Sequence, residues 1–174
     1  MATKLTPAMA NRIEVWPVEK LVPYEHNART HSPEQVAQLA ASIAEFGFVN
    51  PVLVDTAAGV IAGHGRLAAA KDLGLKEVPV VVLDHLTPAQ KRAYVIADNK
   101  LALNAGWDMD LLQEELMGLQ LSDFDLSVLG FDDKELASLL DASSIELGDG
   151  GGAQEDVVQQ NHVCPNCGHK WSDA

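Results

Sequence analysis

Residues 13–23 alternate apolar and polar positions up to Pro23, a pattern that predicts a short strand and a turn, and a polar loop, His26-Asn27-Ala28-Arg29-Thr30-His31, follows. Ser32-Pro33-Glu34-Gln35 then opens a helix. Ser32 is the N-cap, Pro33 takes the first helical position and Gln35 completes a capping box. Val36, Leu39, Ile43 and Phe46 recur on one face, and Gly47 ends the helix. Pro51–Asp55 reads as a strand, Thr56–Gly59 as a turn and Val60–Ala62 as a paired strand. A helix from Leu67 to Leu73 stops at Gly74, and Val78–Leu83 is a strongly β-prone apolar run. Thr87-Pro88-Ala89-Gln90 repeats the cap pattern and starts a helix from Pro88 to about Leu103. Strands interleaved with helices in this way give a mixed α/β (α+β) domain over residues 13–107.

From Asp108 the pattern changes to short acidic helices: Met109–Leu119, Asp123–Leu129, and a third capped by Asp132 with Glu135 three residues on. Leu111, Leu112, Leu116, Leu119, Leu126, Leu129, Leu136, Leu139 and Leu140 give this 108–141 extension an apolar side, which must pack on the body or on a partner chain. Trp107 and this leucine stripe read as core or interface. Residues 142–160, with Gly148-Asp149-Gly150-Gly151-Gly152, read as a flexible linker, and 161–174 as a short cysteine-bearing tail.

The chain has 174 residues, 47% of them hydrophobic, with mean hydropathy near zero, which suits one compact domain with a tail. No apolar run approaches the ~18 residues of a membrane span, and residues 1–10 lack the character of a secretory signal, so the expected address is cytoplasmic. The net charge of −13 lies entirely in the second part. Residues 1–100 carry ten basic and ten acidic side chains, residues 101–174 two and fifteen. The acidic part repels nucleic-acid phosphates, so DNA contact is expected from the neutral part or through a partner.

Val60-Ile61-Ala62-Gly63-His64-Gly65-Arg66-Leu67-Ala68-Ala69-Ala70-Lys71 carries the densest chemistry: an apolar strand runs through two glycines and an arginine into a helix. Glycines 63 and 65 let the backbone turn tightly and present its N–H groups to an anion. The helix adds unpaired amides and the positive end of its dipole, and Arg66 a planar fork of donors matched to phosphate. Taken alone, such a turn reads equally as an ordinary strand-to-helix connection.

Three blocks in order extend this motif: Gly47-Phe48-Val49-Asn50-Pro51-Val52-Leu53-Val54; Gly63-His64-Gly65-Arg66-Leu67-Ala68-Ala69-Ala70, followed by Gly74-Leu75-Lys76-Glu77-Val78-Pro79-Val80; and Ile96-Ala97-Asp98-Asn99-Lys100. Together they resemble the N-terminal domain of the ParB/sulfiredoxin superfamily, the ParB-like nuclease domain, over residues 13–107. The resemblance implies a triphosphate held by Gly63, the amides of His64 and Gly65, and Arg66, with Pro51 from the first block. It also implies that Asn27 and Arg29 in the polar loop reach the phosphates. Asp98 and Asn99 would face Mg²⁺, which favours hard oxygen ligands. The cofactors so implied are Mg²⁺ with CTP or ATP.

Departures from the family pattern shape the expectation. His64 and Gly65 stand where the phosphate motif of ParB proteins has an acidic residue and its first arginine, which leaves the nucleotide open. No cysteine precedes Cys164, which argues against sulfiredoxin chemistry. The acidic 108–140 segment lacks the basic or amide side chains of a recognition helix, so operator reading by this chain alone is not expected. The extension and tail resemble phage and prophage proteins in which a ParB-like domain is joined to a DNA methyltransferase.

In the tail, Cys164-Pro165-Asn166-Cys167-Gly168 forms a knuckle flanked by His162 and His169, a candidate Zn²⁺ set of two thiolates and two imidazoles. A second C-x-x-C is absent from the chain, and a redox-active pair is the rival reading. The leading expectation is a nucleotide-binding, DNA-associated regulatory or partition-like switch with slow hydrolysis at most. Its expected partners are a nucleotide, DNA in a weak or indirect mode, a protein such as a methyltransferase, and a second copy of the chain. The alternatives are a phosphotransferase or nuclease using Arg66, His64, Asp98 and Asn99 with Mg²⁺, and a partner-recruiting protein with a decayed site.

Overall fold

The structure, a computed structural model, describes residues 12–141 together with the backbone of 162–163 and 170–171. Four strands, β1 (Glu14–Pro17), β2 (Val52–Val54), β3 (Val60–Ala62) and β4 (Glu77–Val82), form one sheet in the order β1-β4-β2-β3. β4 pairs antiparallel with β1 and parallel with β2, and β2 pairs antiparallel with β3. The parallel β2–β4 pair needs a crossover. It is supplied by β3 and the helix α2 (His64–Asp72), which follow β2 before the chain returns as β4. Helices α1 (Pro33–Phe46) and α3 (Pro88–Ala102) complete the body.

The core is aliphatic and small-residue rich: Val52, Val54, Val60, Val78 and Val80 from the sheet pack with Leu67 and Ala70 of α2 and with Val18 and Leu21 after β1. Ala69 and Ala70 are fully buried, and an alanine-rich α2 is what lets the helix lie this close to the strands.

Cap chemistry places the helix starts where the sequence puts them. Ser32 Oγ accepts the Gln35 N–H at 3.2 Å, and Thr87 with Gln90 forms a reciprocal capping box. The Gln35 side chain differs from expectation: it meets His31 Nδ1 at 2.9 Å instead of closing a box on Ser32. Helix α2 begins at His64, three residues before the expected Leu67, so residues 64–66 are its first turn.

After residue 107 come α4 (Met109–Leu121) and α5 (Asp133–Leu140), capped by Asp108 and Asp132. The helix expected over 123–129 is only a 3-10 turn at Leu126–Leu129, because Asp123 adopts φ +56° and Asp125 caps the turn by accepting the Ser127 N–H. This segment packs against α1: Phe46 and Phe124 stack with centroids 6.0 Å apart, and Gln38 Nε2 donates to the Gly130 carbonyl at 3.3 Å. Residues 12–107 and 108–141 therefore belong to one compact unit. Residues 142–174 form a second unit, in which β5 (His162–Val163) pairs antiparallel with β6 (Lys170–Trp171). The expected linker at 142–160 lies outside the described residues. No helix among the described residues is long and apolar enough to cross a membrane.

Candidate anion site at the start of α2

Leaving β3, the chain turns at Gly63 with φ +96°, a left-handed conformation that L side chains rarely adopt. The first helical bond runs from the Leu67 N–H to the Gly63 carbonyl at 2.9 Å. The amides of His64, Gly65 and Arg66 precede it and are the donors that a helix start leaves without intrahelical partners. The positive end of the helix dipole lies at the same place.

Gly65 has a different role from the one its position in the motif suggested. It is buried in the first turn of α2, and a Cβ there would lie 2.8 Å from Leu39 Cδ1 and 3.0 Å from the His31 ring. Its missing side chain lets α2 approach α1 and the 22–31 loop.

A cavity of about 200 Å³ opens over this helix start. Arg66 and His64 enter it from α2, Asn27, Arg29 and His31 from the loop, Gln35 from α1, and Asp98 and Asn99 from α3. The two clusters separated by more than thirty residues in sequence thus line one space. Two guanidinium groups against one carboxylate give the lining a net positive balance.

Arg66 Nη2 donates to the Pro51 carbonyl at 3.3 Å. Pro51 therefore orients the guanidinium, while its own residue is not part of the cavity lining. Among the described residues, Arg66 Nε is buried without a hydrogen-bond partner. Burial lowers the pKa of this group, and the nearby Asp98 carboxylate opposes the shift by favouring the charge.

His64 Nε2 accepts the Tyr24 backbone N–H at 3.2 Å, and burial, followed by the neighbouring His31, holds the imidazole below its ordinary pKa. On α3, Asn99 Nδ2 donates back to the Val95 carbonyl at 2.8 Å. Burial and the adjacent Asp98 raise the Tyr94 hydroxyl. Lys91 Nζ lies 2.7 Å from Asp55 Oδ2, tying the first half of α3 to the β2–β3 turn.

Two further spaces adjoin the same loop. One of about 490 Å³ lies between Val22–His26, the β2–β3 turn and the first half of α3, and one of about 170 Å³ is lined by Asn27–Arg29 and the second half of α3. Sequence reasoning missed His31, Gln35, Asp55 and Lys91. The four-residue spacing of His31 and Gln35 across a helix cap was the available signal. The tail candidates Cys164, Cys167 and His169 lie outside the described residues, as does the side chain of His162. Among the described residues no group of three or more His, Cys, Asp or Glu side chains is placed to hold a metal ion.

A mixed α/β domain with a polar, positively balanced cavity at a glycine-led helix start is the class of protein these features define. Residues 3–99 match the ParB N-terminal domain family, and the chain belongs to that family. Residues 110–164 match the ParB-methyltransferase HTH domain. The acidic 108–140 segment, which lacks the side chains expected of a recognition helix, thus falls almost wholly within the match to an HTH domain.

Over 76 residues the chain is 58% identical to the ParB-like nuclease domain-containing protein YnaK of Escherichia coli (strain K12), covering 44% of this chain and 87% of that protein. It is 37% identical over 101 residues to a probable chromosome 2-partitioning protein ParB of Deinococcus radiodurans, covering 56% of this chain but only 34% of that one. The solved structure of the C-terminally truncated chromosome-partitioning protein ParB from Caulobacter crescentus, complexed with CTP-γ-S, aligns with a TM-score of 0.62 at 24% identity. That alignment covers 74% of this chain and 77% of the other, and it establishes the shared fold.

Proposed function

We propose that this chain is a ParB-like nucleotide-binding module whose α2 cavity takes the polyphosphate of a nucleoside triphosphate, CTP or ATP, with Mg²⁺. The observation that carries the reading is Arg66: a guanidinium held by the Pro51 carbonyl that lines, together with Arg29, a cavity at a helix start. Arg29 and the first-turn amides of α2 supply the remaining donors.

A space of about 200 Å³ suits phosphates rather than a whole nucleotide, so the nucleoside extends into one of the adjoining spaces along the loop. The donor set at 98 and 99 fits Mg²⁺ only in part, one carboxylate and one amide oxygen, with phosphate oxygens needed to complete the shell. Bound there, the ion would neutralise phosphate charge and draw α3 towards α2.

The likeness to ParB bound to CTP-γ-S and to chromosome-partitioning relatives supports a ligand-controlled, DNA-associated role, with DNA contact weak or indirect because the HTH-matched segment is strongly acidic. A role as accessory to a DNA methyltransferase is the finer form of this reading. His64 already spends its Nε2 on a backbone N–H, which favours binding over proton transfer and so a switch over a phosphotransferase or nuclease.

Thermal-shift measurements with each nucleoside triphosphate and Mg²⁺ test the proposal. Millimolar ligand at 100 times its Kd raises stability by about 2.7 kcal/mol, and Arg66→Ala removes the shift. The absence of a shift with every nucleotide in the wild-type chain would overturn it.

A further inference from the structure

Three cavities meet at one short segment, Val22–His31, whose placement decides the shape of each. At its start the segment is fixed to the β2–β3 turn by the Val22 N–H donating to the Ala58 carbonyl at 3.0 Å, and to β3 by the Val60 N–H donating to the Val22 carbonyl at 2.8 Å. At its end it runs into the Ser32 cap of α1. Between these points His64 reaches across forty positions of sequence to take the Tyr24 N–H on Nε2.

From Tyr24 a continuous run of hydrogen bonds leads to the cavity. The Asn27 N–H donates to the Tyr24 carbonyl at 3.1 Å, the Arg29 N–H to Asn27 Oδ1 at 3.2 Å, and Asn27 Nδ2 to the Arg29 carbonyl at 3.1 Å. The backbone carrying Arg29 is thereby referred to the first residue of α2.

We infer that His64 is a positioning residue: its neutral imidazole, accepting the Tyr24 amide, sets the 22–31 loop and so places Arg29 opposite Arg66 across the cavity. The anion-binding consequence rests on the function proposed above; the hold on the loop does not. A backbone N–H can only donate, so Nε2 must be the unprotonated nitrogen and Nδ1 must carry the hydrogen. Protonation would set an N–H against an N–H and release the loop. The charged and titratable groups that share the cavity with His64 are Arg29 and His31 from the loop, Arg66 from α2 and Asp98 from α3, with the uncharged Gln35 and Leu39 from α1; the bonded residue Tyr24 adds its own phenol, edge-on to the His26 ring with centroids 5.7 Å apart.

Two substitutions separate hydrogen bonding from packing. His64→Gln places an amide oxygen near the Nε2 position, an acceptor that does not titrate. His64→Phe keeps the ring volume without an acceptor. In the full chain, free of ligand, hydrogen exchange at the Tyr24 amide is expected to quicken about tenfold in His64→Phe, the scale of one lost hydrogen bond, with the Asn27 and Arg29 amides following. It is expected to stay within about threefold of wild type in His64→Gln. As the pH falls through and below the ordinary histidine range, the wild-type Tyr24 amide resonance moves with the protonation of His64, and in His64→Gln that component of the movement is lost, a comparison independent of how well the phenylalanine variant folds.

Inorganic tripolyphosphate is the binding probe: at pH 8 its Kd rises about tenfold in His64→Phe and is restored by glutamine. A Tyr24 amide indifferent both to His64 titration and to the phenylalanine change overturns the inference, as does equal loss of binding in both variants. If wild type ignores tripolyphosphate while the Tyr24 amide behaves as described, the anion-binding reading falls and the hold of His64 on the loop stands.

Discussion

Gly63 and Gly65 look alike in the sequence and serve different physical ends. The first supplies a backbone angle that other residues reach only with strain. The second supplies space, since a methyl group would overlap Leu39 and His31. Gly65→Ala is therefore expected to destabilise the protein by about 1–3 kcal/mol, the range for overpacking a tight contact, and to weaken tripolyphosphate binding because both displaced side chains line the cavity. Urea denaturation alongside calorimetric titration checks both. An alanine variant with unchanged stability would mean that α1 and α2 yield at this point, and that the closeness of the two helices is not what requires glycine. Arg66 shows the complementary economy: one guanidinium is oriented by a backbone carbonyl at one end and left with an unused donor at Nε.

Among the elements, α3 has the task of bringing Asp98 and Asn99 to a site made by other parts of the chain. Its N-terminus is capped by Thr87 and Gln90, and its Lys91 pairs with Asp55 in the β2–β3 turn. Asp55 also accepts the Ala57 and Gly59 N–H groups, each at 2.9 Å, so it shapes the turn as well as anchoring the helix. Burial raises the Asp55 carboxyl, but Lys91 and the two amides outweigh it and keep the group below its ordinary value. The two ends of this contact are thus unequal. Lys91→Met is expected to cost less than about 1 kcal/mol, as for a partly exposed ion pair, whereas Asp55→Ala should cost about 1–3 kcal/mol because two turn amides lose their acceptor. Chemical denaturation of the pair distinguishes them, and equal losses would show that the turn does not depend on the aspartate.

At the scale of the molecule, the helical segment after residue 107 is joined to the α/β body through α1. Phe124 stacks on Phe46 and Gly130 receives Gln38, while α1 also packs against α2 beneath the cavity. Trp16 lies in β1, and Trp107 sits against Phe131 with centroids 6.3 Å apart, so each reports on one side of the junction. The indole resonances of Trp16 and Trp107 are expected to disappear in a single coincident thermal transition, since domains of this size ordinarily unfold cooperatively. Separate transitions would show that the helical segment after residue 107 unfolds independently of the α/β body.

Local chemistry made much of this legible. The serine and threonine caps, the glycine stops and the alternating apolar runs mark helix starts and strands because they act over three or four residues. The likeness of three short blocks to a known family brought residues 63–66 and 98–99 together before any coordinates. Two local signals are overridden in the structure: the Gln35 side chain meets His31 instead of its cap, and the chain leaves helical geometry at Asp123, with φ +56°.

The sequence by itself determined most element types, the 123–129 segment excepted, and the charge division between the two parts of the chain, because propensity, capping and net charge are properties of neighbouring residues. Only the tertiary structure decided that Gly65 is a packing residue, that His64 grips the Tyr24 backbone, and that Lys91 ties α3 to Asp55. Each of these depends on a contact between segments far apart in the chain, whose relative placement is settled by how helices and sheet pack and not by the order of residues within any one of them.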